Sequence, residues 1–322
     1  MNPSGDFMKK VVTIIAPMYN EEALVKIYCQ ETMRIMNAIS DYYDFEILFI
    51  DDGSLDTTLI EMQQMQLKYP KNISIISLTR NFGLEGAISA GLRYAKGDVV
   101  VVMDADLQDP PSLILAMIHQ YEKGFDIVNA KRIRRESDTF FKKNSAKVFY
   151  SILSISSDRI HCEPGVANYC LLSRKALDCL LSLQEVNGSF RVQVPYLGMN
   201  HTTISYDRDR RYAGSTKYNL KSMIRYGLDS ITGLSIEPLR KIVWVFLPAS
   251  IIFFASLIGF FFSSSALKFA SLVISVMSVF FFILYALILI VGEYIGQIMV
   301  EVKHRPSAIV YQYLPAGLTR EK

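Results

Sequence analysis

The most informative thing this 322-residue chain lacks is charge in one region. No charged residue falls in 242–267 or in 269–292, and Lys268 stands alone between the two stretches. Elsewhere charge is ordinary. The other 271 residues hold 64 of the 65 Lys, Arg, Asp and Glu side chains, about 24%, the proportion of a soluble domain. A water-soluble part with two membrane-length segments is therefore expected, not a polytopic carrier, a wholly soluble enzyme or a disordered chain. The N-terminus, MNPSGDFMKK, has no apolar core and does not read as a signal peptide. Cys29, Cys162, Cys170 and Cys179 form no CxxC pair, so free thiols are expected in a part read as cytosolic. His119, His161, His201 and His304 are too scattered to suggest a histidine metal site. A net charge of +3, without a basic stripe or a motif, gives no reason to expect nucleic acid. The fingerprints GxGxxG and GxxxxGK[ST] are both missing, which argues against dinucleotide dehydrogenases and P-loop NTPases.

The two charge-free stretches read as helices. Residues 242–262 and 269–292 are each long enough to cross a hydrocarbon core, which takes about 20 residues. The link 263–268 is too short for a domain, so a transmembrane hairpin is expected. Arg240 and Lys241 precede it, Lys303 and Arg305 follow it, and only Lys268 lies in the link. The positive-inside rule then puts both termini in the cytoplasm of a multi-pass protein of the cell membrane. Before the hairpin, Leu220, Met223, Ile224, Leu228, Ile231 and Leu234 recur at helical spacing. That pattern marks an amphipathic helix within 218–241, lying in the membrane interface or packed on the soluble domain. The expected domains are 1–217 soluble, 218–241 juxtamembrane, 242–292 membrane and 293–322 a cytosolic tail.

In the soluble part, strands are expected at Val11–Ala16, Glu46–Ile50, Ile73–Leu78 and Asp98–Met103, and helices at Glu21–Ile39, Leu55–Lys68 and Leu84–Lys96. Ser54 and Asp56 are candidate caps of the second helix. Alternation with near-continuous apolar strands implies an α/β fold, a mostly parallel sheet with helices on both faces. Each strand is followed by a polar cluster: PMYNE at 17–21, DDGS at 51–54, RNFG at 80–83 and DADLQ at 104–108. All four fall at carboxyl ends of strands, the edge where open parallel sheets bind ligands. That edge is acidic, with Asp51, Asp52, Asp104 and Asp106. Carboxylates hold phosphate through a divalent cation, the usual arrangement of Mg²⁺ or Mn²⁺ with nucleotides.

At these residues the chain resembles family 2 glycosyltransferases of the GT-A (Rossmann-like) fold. The nearest group is the membrane-anchored polyprenyl-phosphate glycosyltransferases, such as bactoprenol-phosphate glucosyltransferases and dolichol-phosphate-mannose synthase. The resemblance is carried by APMYNEE (16–22), IDDGSLD (50–56), TRNFGLEGAISAGL (79–92), VVVMDADLQDPP (100–111), AKRIRRE (130–136), YAGSTKYNL (212–220) and VGEYIGQIMVEVKHRP (291–306). It implies that Pro17, Tyr19, Glu21, Asp51, Asp52 and Asp104 bind a nucleotide sugar. It implies that Asp104, Asp106, Gln108 and Arg132 serve the reaction, with Asp106 and Gln108 on Mg²⁺ or Mn²⁺. Arg135, Lys142, Lys143, Arg211, Ser215 and Lys217 would meet an acceptor phosphate, although Lys142 and Lys143 also open an amphipathic run and could snorkel at a membrane surface. The implied reaction is inverting transfer of one sugar from UDP-glucose, UDP-GlcNAc or a similar donor to undecaprenyl phosphate on the cytoplasmic leaflet, for cell-envelope glycan modification. A homo-oligomer, a tetramer by resemblance, is implied too.

The chain departs from that pattern at one place. Where relatives commonly read G-D-F-R-L, it has Asn168 at the acidic position and Cys170 at the arginine position. Where relatives often read E-x-x-R-F, it has Asn187-Gly188-Ser189-Phe190, followed by Arg191. Asn168 cannot be a base, so these changes bear on sugar or acceptor choice. They also motivate a different class, a membrane scaffold that binds nucleotide sugar without turnover. A processive polysaccharide synthase is the third reading. Its usual QxxRW motif is missing, and Trp244 lies inside the first expected span.

Overall fold

The computed structural model describes residues 9–133, 165–183, 185, 188–207, 247–248, 250–251, 253–255, 258 and 266–317. The expected juxtamembrane helix (218–241) and the site residues Arg135, Lys142, Lys143, Arg211, Ser215 and Lys217 lie outside these.

The described residues form an eight-stranded sheet: β1 (Lys10–Met18), β2 (Tyr43–Asp51), β3 (Ile73–Leu78), β4 (Val99–Val102), β5 (Ile127–Arg132), β6 (Val166–Ser173), β7 (His201–Tyr206) and β8 (Val310–Leu314). Their order across the sheet is β7-β5-β6-β4-β1-β2-β3-β8. Strands β1 to β4 are parallel, β6 and β8 run antiparallel to their neighbours, and β7 is parallel to β5. The expected mostly parallel α/β sheet is what forms.

Side-chain alternation divides the strands between two cores. Val12, Ile14 and Ala16 of β1 and Ile47 and Phe49 of β2 share one core with α1 (Glu22–Asn37), α2 (Thr58–Lys68) and α4 (Leu113–Glu122). Ile15, Leu48, Ile50, Ile76, Val100 and Val102 share the other with α3 (Gly83–Tyr94), α5 (Arg174–Leu181) and α6 (Phe190–Tyr196). Burial on both faces is why these strands read as continuous apolar runs. Helix α3 packs close to the sheet: a Cβ on Gly91 would lie 2.6 Å from the Ile15 side chain.

Two details differ from the sequence reading. Helix α2 begins at Thr58, not Leu55, because residues 54–56 are drawn into the neighbouring loop. Asp56 accepts from the Thr58 amide at 3.0 Å, but the Ser54 hydroxyl accepts instead from the Asn20 amide, also at 3.0 Å. The second difference is in the stretch read as a tail. Val310–Leu314 is an edge strand, antiparallel to β3. Gln66 Nε2 donates to Leu314 O (3.0 Å), Ala316 N to Ser74 Oγ (2.7 Å) and Gly317 N to Pro70 O (2.7 Å).

The chain divides into two compact units. The first holds the sheet and helices α1–α6. The second contains α7 (Ala266–Val302), 37 residues long, or about 55 Å at 1.5 Å per residue. Its segment Leu272–Val302 is long and apolar enough to cross a membrane. Leu272, Ile274, Phe281, Phe282, Ile288 and Leu289 are all exposed, so the helix presents large apolar side chains at its surface. The described residues of the first expected span are helical, and Phe253 stacks on Phe280 with ring centroids 5.2 Å apart.

Candidate active site

The strand order reverses beside β1. Strands β2 and β3 are added on one side of it and β4 on the other, so the chain after β1 heads toward one edge of the sheet and the chain after β4 toward the opposite edge. In open parallel sheets that divergence makes a ligand crevice. The last ladder bond on this side runs from Met103 N to Ile15 O at 3.0 Å. Pro17 comes next on the same side, where its missing N–H costs no strand bond. Pro17 and the half-buried Tyr19 therefore flank the crevice from β1, and Asp104, Asp106 and Gln108 from β4.

The loops after β1 and β2 are knitted together. Asn20 Oδ1 accepts from Leu55 N (2.7 Å), Thr58 Oγ1 from Glu21 N (2.8 Å), and Glu22 Oε2 from Thr57 N (3.0 Å). Asn20 takes a left-handed φ of 51° to make this closure. Asp51 accepts from Ser54 N (3.0 Å) and from the Ser77 hydroxyl (3.3 Å). Asp52 accepts from Phe82 N (2.7 Å) and Gly83 N (2.9 Å), the start of α3. Burial still raises the Asp52 carboxyl to about 6 against the pull of those amides, with Asp51 adding to the rise and Arg80 opposing it. Gly53 is required where it sits. Its φ is +66°, and a Cβ there would lie 2.5 Å from the backbone of Arg80. Asp51 and Asp52 are thus buried members of a three-loop junction, and that junction sets the edge beside Tyr19.

The loop after β4 carries the exposed chemistry. Leu107 holds a left-handed φ of 53°, an uncommon conformation for a side chain of this size. Asp106 Oδ1 accepts from Gln108 N at 3.2 Å. Asp104 is the unusual group. Its Oδ1 is buried with no hydrogen-bond partner, whereas buried polar atoms are nearly always satisfied. Burial raises its carboxyl to about 6; Asp109 and Asp106 add to the rise, and Arg132 and Arg191 oppose it. Among the described residues, no three His, Cys, Asp or Glu side chains form a ready cation cage. An unsatisfied carboxylate oxygen with a second carboxylate two residues on suits a cation such as Mg²⁺, which takes one or two protein carboxylates and completes its shell with water and substrate phosphates.

Arg132 is engaged more tightly than the sequence suggests. Strand register sets it beside Tyr206. Its guanidinium forks onto the fully buried Asp109, with Nε–Oδ1 at 3.2 Å and Nη2–Oδ2 at 2.8 Å. Tyr206 donates its hydroxyl to the same Asp109 oxygen and accepts from Arg132 Nε at 3.1 Å. Arg132, expected to serve the reaction, therefore spends its fork on Asp109. Nη2 still stands 3.9 Å from Asp104 Oδ2, so the Arg132 charge faces the crevice while its geometry braces the loop.

The departures from the family pattern lie on β6. Cys170 is buried and free, as are Cys29 (buried) and Cys179 (exposed); its Sγ lies 3.4 Å from Asn129 Oδ1. Asn168 is buried, and its Oδ1 accepts from Arg191 Nε at 2.7 Å. Arg191 sits in the first turn of α6, where Glu85 accepts from Ser189 Oγ (3.0 Å) and Phe190 N (2.8 Å). Asp109, Tyr206, Glu85 and the placement of Arg191 were missed in the sequence. Only Asp109 left a signal there, as the last carboxylate of DADLQD.

The family model for glycosyl transferase family 2 matches residues 13–181, from β1 to the end of α5. An uncharacterised glycosyltransferase of Bacillus subtilis, YkcC, is 37% identical over 306 residues, covering 92% of each chain. A bactoprenol glucosyl transferase of Shigella phage SfV is 33% identical over 306 residues, 93% of this chain and 97% of that one. Among solved structures, glucosyl-3-phosphoglycerate synthase of Mycobacterium tuberculosis, in complex with Mn²⁺, UDP and glucosyl-3-phosphoglycerate, superposes with a TM-score of 0.47 at 16% identity, over 69% of this chain and 78% of that one. With a family model covering more than half of its length and relatives above 30% identity over nine-tenths of it, the chain belongs to glycosyl transferase family 2.

Proposed function

We propose that this glycosyltransferase moves a single sugar, with inversion, from a nucleotide-sugar donor such as UDP-glucose or UDP-GlcNAc to a polyprenyl phosphate at the cytoplasmic face of a membrane. The observation that carries the reading is the 33% identity to a bactoprenol glucosyl transferase over 93% of this chain, soluble and apolar parts together. In this reading Pro17, Tyr19, Glu21, Asp51 and Asp52 receive the base and ribose, and the three-loop junction holds them in place. Asp104, Asp106 and Gln108 would hold a divalent cation, whose Lewis acidity offsets charge on the departing nucleoside diphosphate. A lipid phosphate is anionic at neutral pH and attacks without a strong base, which suits a site where Asn168 replaces a carboxylate. Arg135, Lys142, Lys143, Arg211, Ser215 and Lys217 are proposed to draw in the acceptor head.

A two-span hairpin with both termini cytoplasmic belongs to the same reading. Strand β8 pairs with β3, so chain on either side of the apolar segment shares one sheet. A chain that leaves a domain and returns to it crosses a membrane an even number of times. The Phe253–Phe280 stack supports an antiparallel pair turning near 263–268. Self-association, as a tetramer by resemblance, completes the proposal.

The test is a donor panel incubated with the purified protein, undecaprenyl phosphate and Mg²⁺ or Mn²⁺. A lipid-linked monosaccharide is expected, abolished by EDTA and reduced about a hundredfold or more in Asp106→Ala. Unchanged transfer in that variant removes the cation role. Donor binding without transfer to any lipid phosphate favours the scaffold reading, and a high-molecular-weight product favours a processive synthase.

A further inference from the structure

The Asn168–Arg191 pair is a difference in charge as well as in shape. Strand β6 runs antiparallel to β4, with Val102 opposite Cys170 and Val101 opposite Leu171. Continuing that register two residues past the end of β4 sets Asn168 level with Asp104. Asn168 therefore stands at the crevice, and Arg191 reaches it there through Nε at 2.7 Å. The helix that carries Arg191 is clasped to α3 by Glu85, so its first turn is held by two hydrogen bonds from another element. Arg191 as a residue is exposed, so it reaches solvent while its Nε is held by Asn168.

A guanidinium can be held by a carboxylate or by a neutral amide oxygen. A carboxylate cancels most of its charge, as Asp109 does for Arg132. An amide oxygen fixes its orientation and leaves the full charge available for another anion. We infer that Arg191 is a binding residue for a substrate phosphate, either the donor diphosphate or the acceptor phosphate, and that Asn168 is the positioning residue that aims it without neutralising it. The inference rests on the proposed transfer reaction for the nature of its ligand. It assigns Arg191 the substrate-facing cation that Arg132, spent on Asp109, supplies only in part.

The test separates the two phosphate sources. Binding of UDP with Mg²⁺ reports the donor arm, and binding of undecaprenyl phosphate in detergent micelles reports the acceptor arm. Each is measured for the wild type, Arg191→Gln, Arg191→Lys, Asn168→Asp and the double variant Asn168→Asp/Arg191→Gln. Arg191→Gln and Asn168→Asp are expected to weaken one probe by about tenfold, the cost of one charge-assisted contact, with Arg191→Lys retaining most of the affinity. The affected probe names the source. In the Arg191→Gln background, Asn168→Asp should cost nothing further, an outcome that a merely structural asparagine would not produce. If Asn168→Asp does not fold, judged by thermal unfolding, Arg191→Gln alone decides. Wild-type affinity for both probes in Arg191→Gln overturns the inference, as does an undiminished Asn168→Asp effect in the double variant. A wild type that binds both probes but transfers no sugar overturns the proposed reaction and leaves the Arg191 assignment standing.

Discussion

At the residue scale Asp104 carries a cost in stability, a buried carboxyl with an oxygen left without a partner. Its carboxyl titrates near 6 in the folded protein, against about 3.9 in an unfolded chain. Between about pH 4 and 6 the native state therefore holds a proton that the unfolded state has lost, so stability falls as pH rises through that window and stays low above it. Asp104→Asn removes this dependence. The ligand-free variant should be more stable than the wild type at pH 7.5, by on the order of 1–3 kcal/mol, with the gain vanishing near pH 4. The same substitution should abolish Mn²⁺-dependent donor binding, and wild-type binding should itself weaken as pH drops below about 6. Thermal unfolding and calorimetry across pH check both. Asp109 predicts the opposite sign. Asp109→Asn leaves the partly buried Arg132 without its counter-charge and should destabilise by about 2–4 kcal/mol in chemical denaturation. The placement of Asp104, Asp106 and Gln108 at the end of β4 was legible in the sequence because they lie close together and follow a strand. The Asp109–Arg132–Tyr206 group was not, because its members come from segments 23 to 97 residues apart and only strand register brings them together.

At the scale of elements, the loops after β1, β2 and β3 behave as one body. Gly53 is the point where two of them touch, with the Arg80 backbone occupying the space of a Cβ. Gly53→Ala combines a left-handed φ with that clash and should cost about 2 kcal/mol or more. It should also weaken donor binding, because Asp51, Asp52 and the start of α3 shift with the junction. Unfolding midpoints and UDP affinity measured on the same preparation test the coupling; a loss of stability with unchanged affinity would separate the junction from the nucleotide site. The strands were readable from their Val and Ile content, and β3 has the bounds expected for it. Helix α2 was misplaced by three residues because the cross-loop bonds of Ser54, Leu55 and Asp56 are tertiary and leave no local signature.

At the scale of the whole molecule, the chain after α7 completes the sheet. Val310 and Tyr313 pack against the second core, and the β8 backbone covers the outer edge of β3. An uncovered edge strand invites intermolecular pairing. Ending the chain at Arg305 should lower the unfolding temperature by several degrees and promote aggregation, read by light scattering. It should also speed hydrogen exchange at Ile75–Leu78. An unchanged melting temperature would show that β8 adds little.

The sequence by itself determined which stretches are apolar enough to leave water, which form strands, and which acidic residues end up at one edge. Those properties are local: runs of charge-free side chains, alternation, and polar clusters that follow strands. The tertiary structure alone decided which partners those residues take. Arg132 turns to Asp109, Asn168 holds Arg191, Asp104 keeps an oxygen without a partner, and the residues after α7 become a strand. Each of these follows from strand order and register, which bring together residues far apart in the chain and set the charge that remains for a substrate.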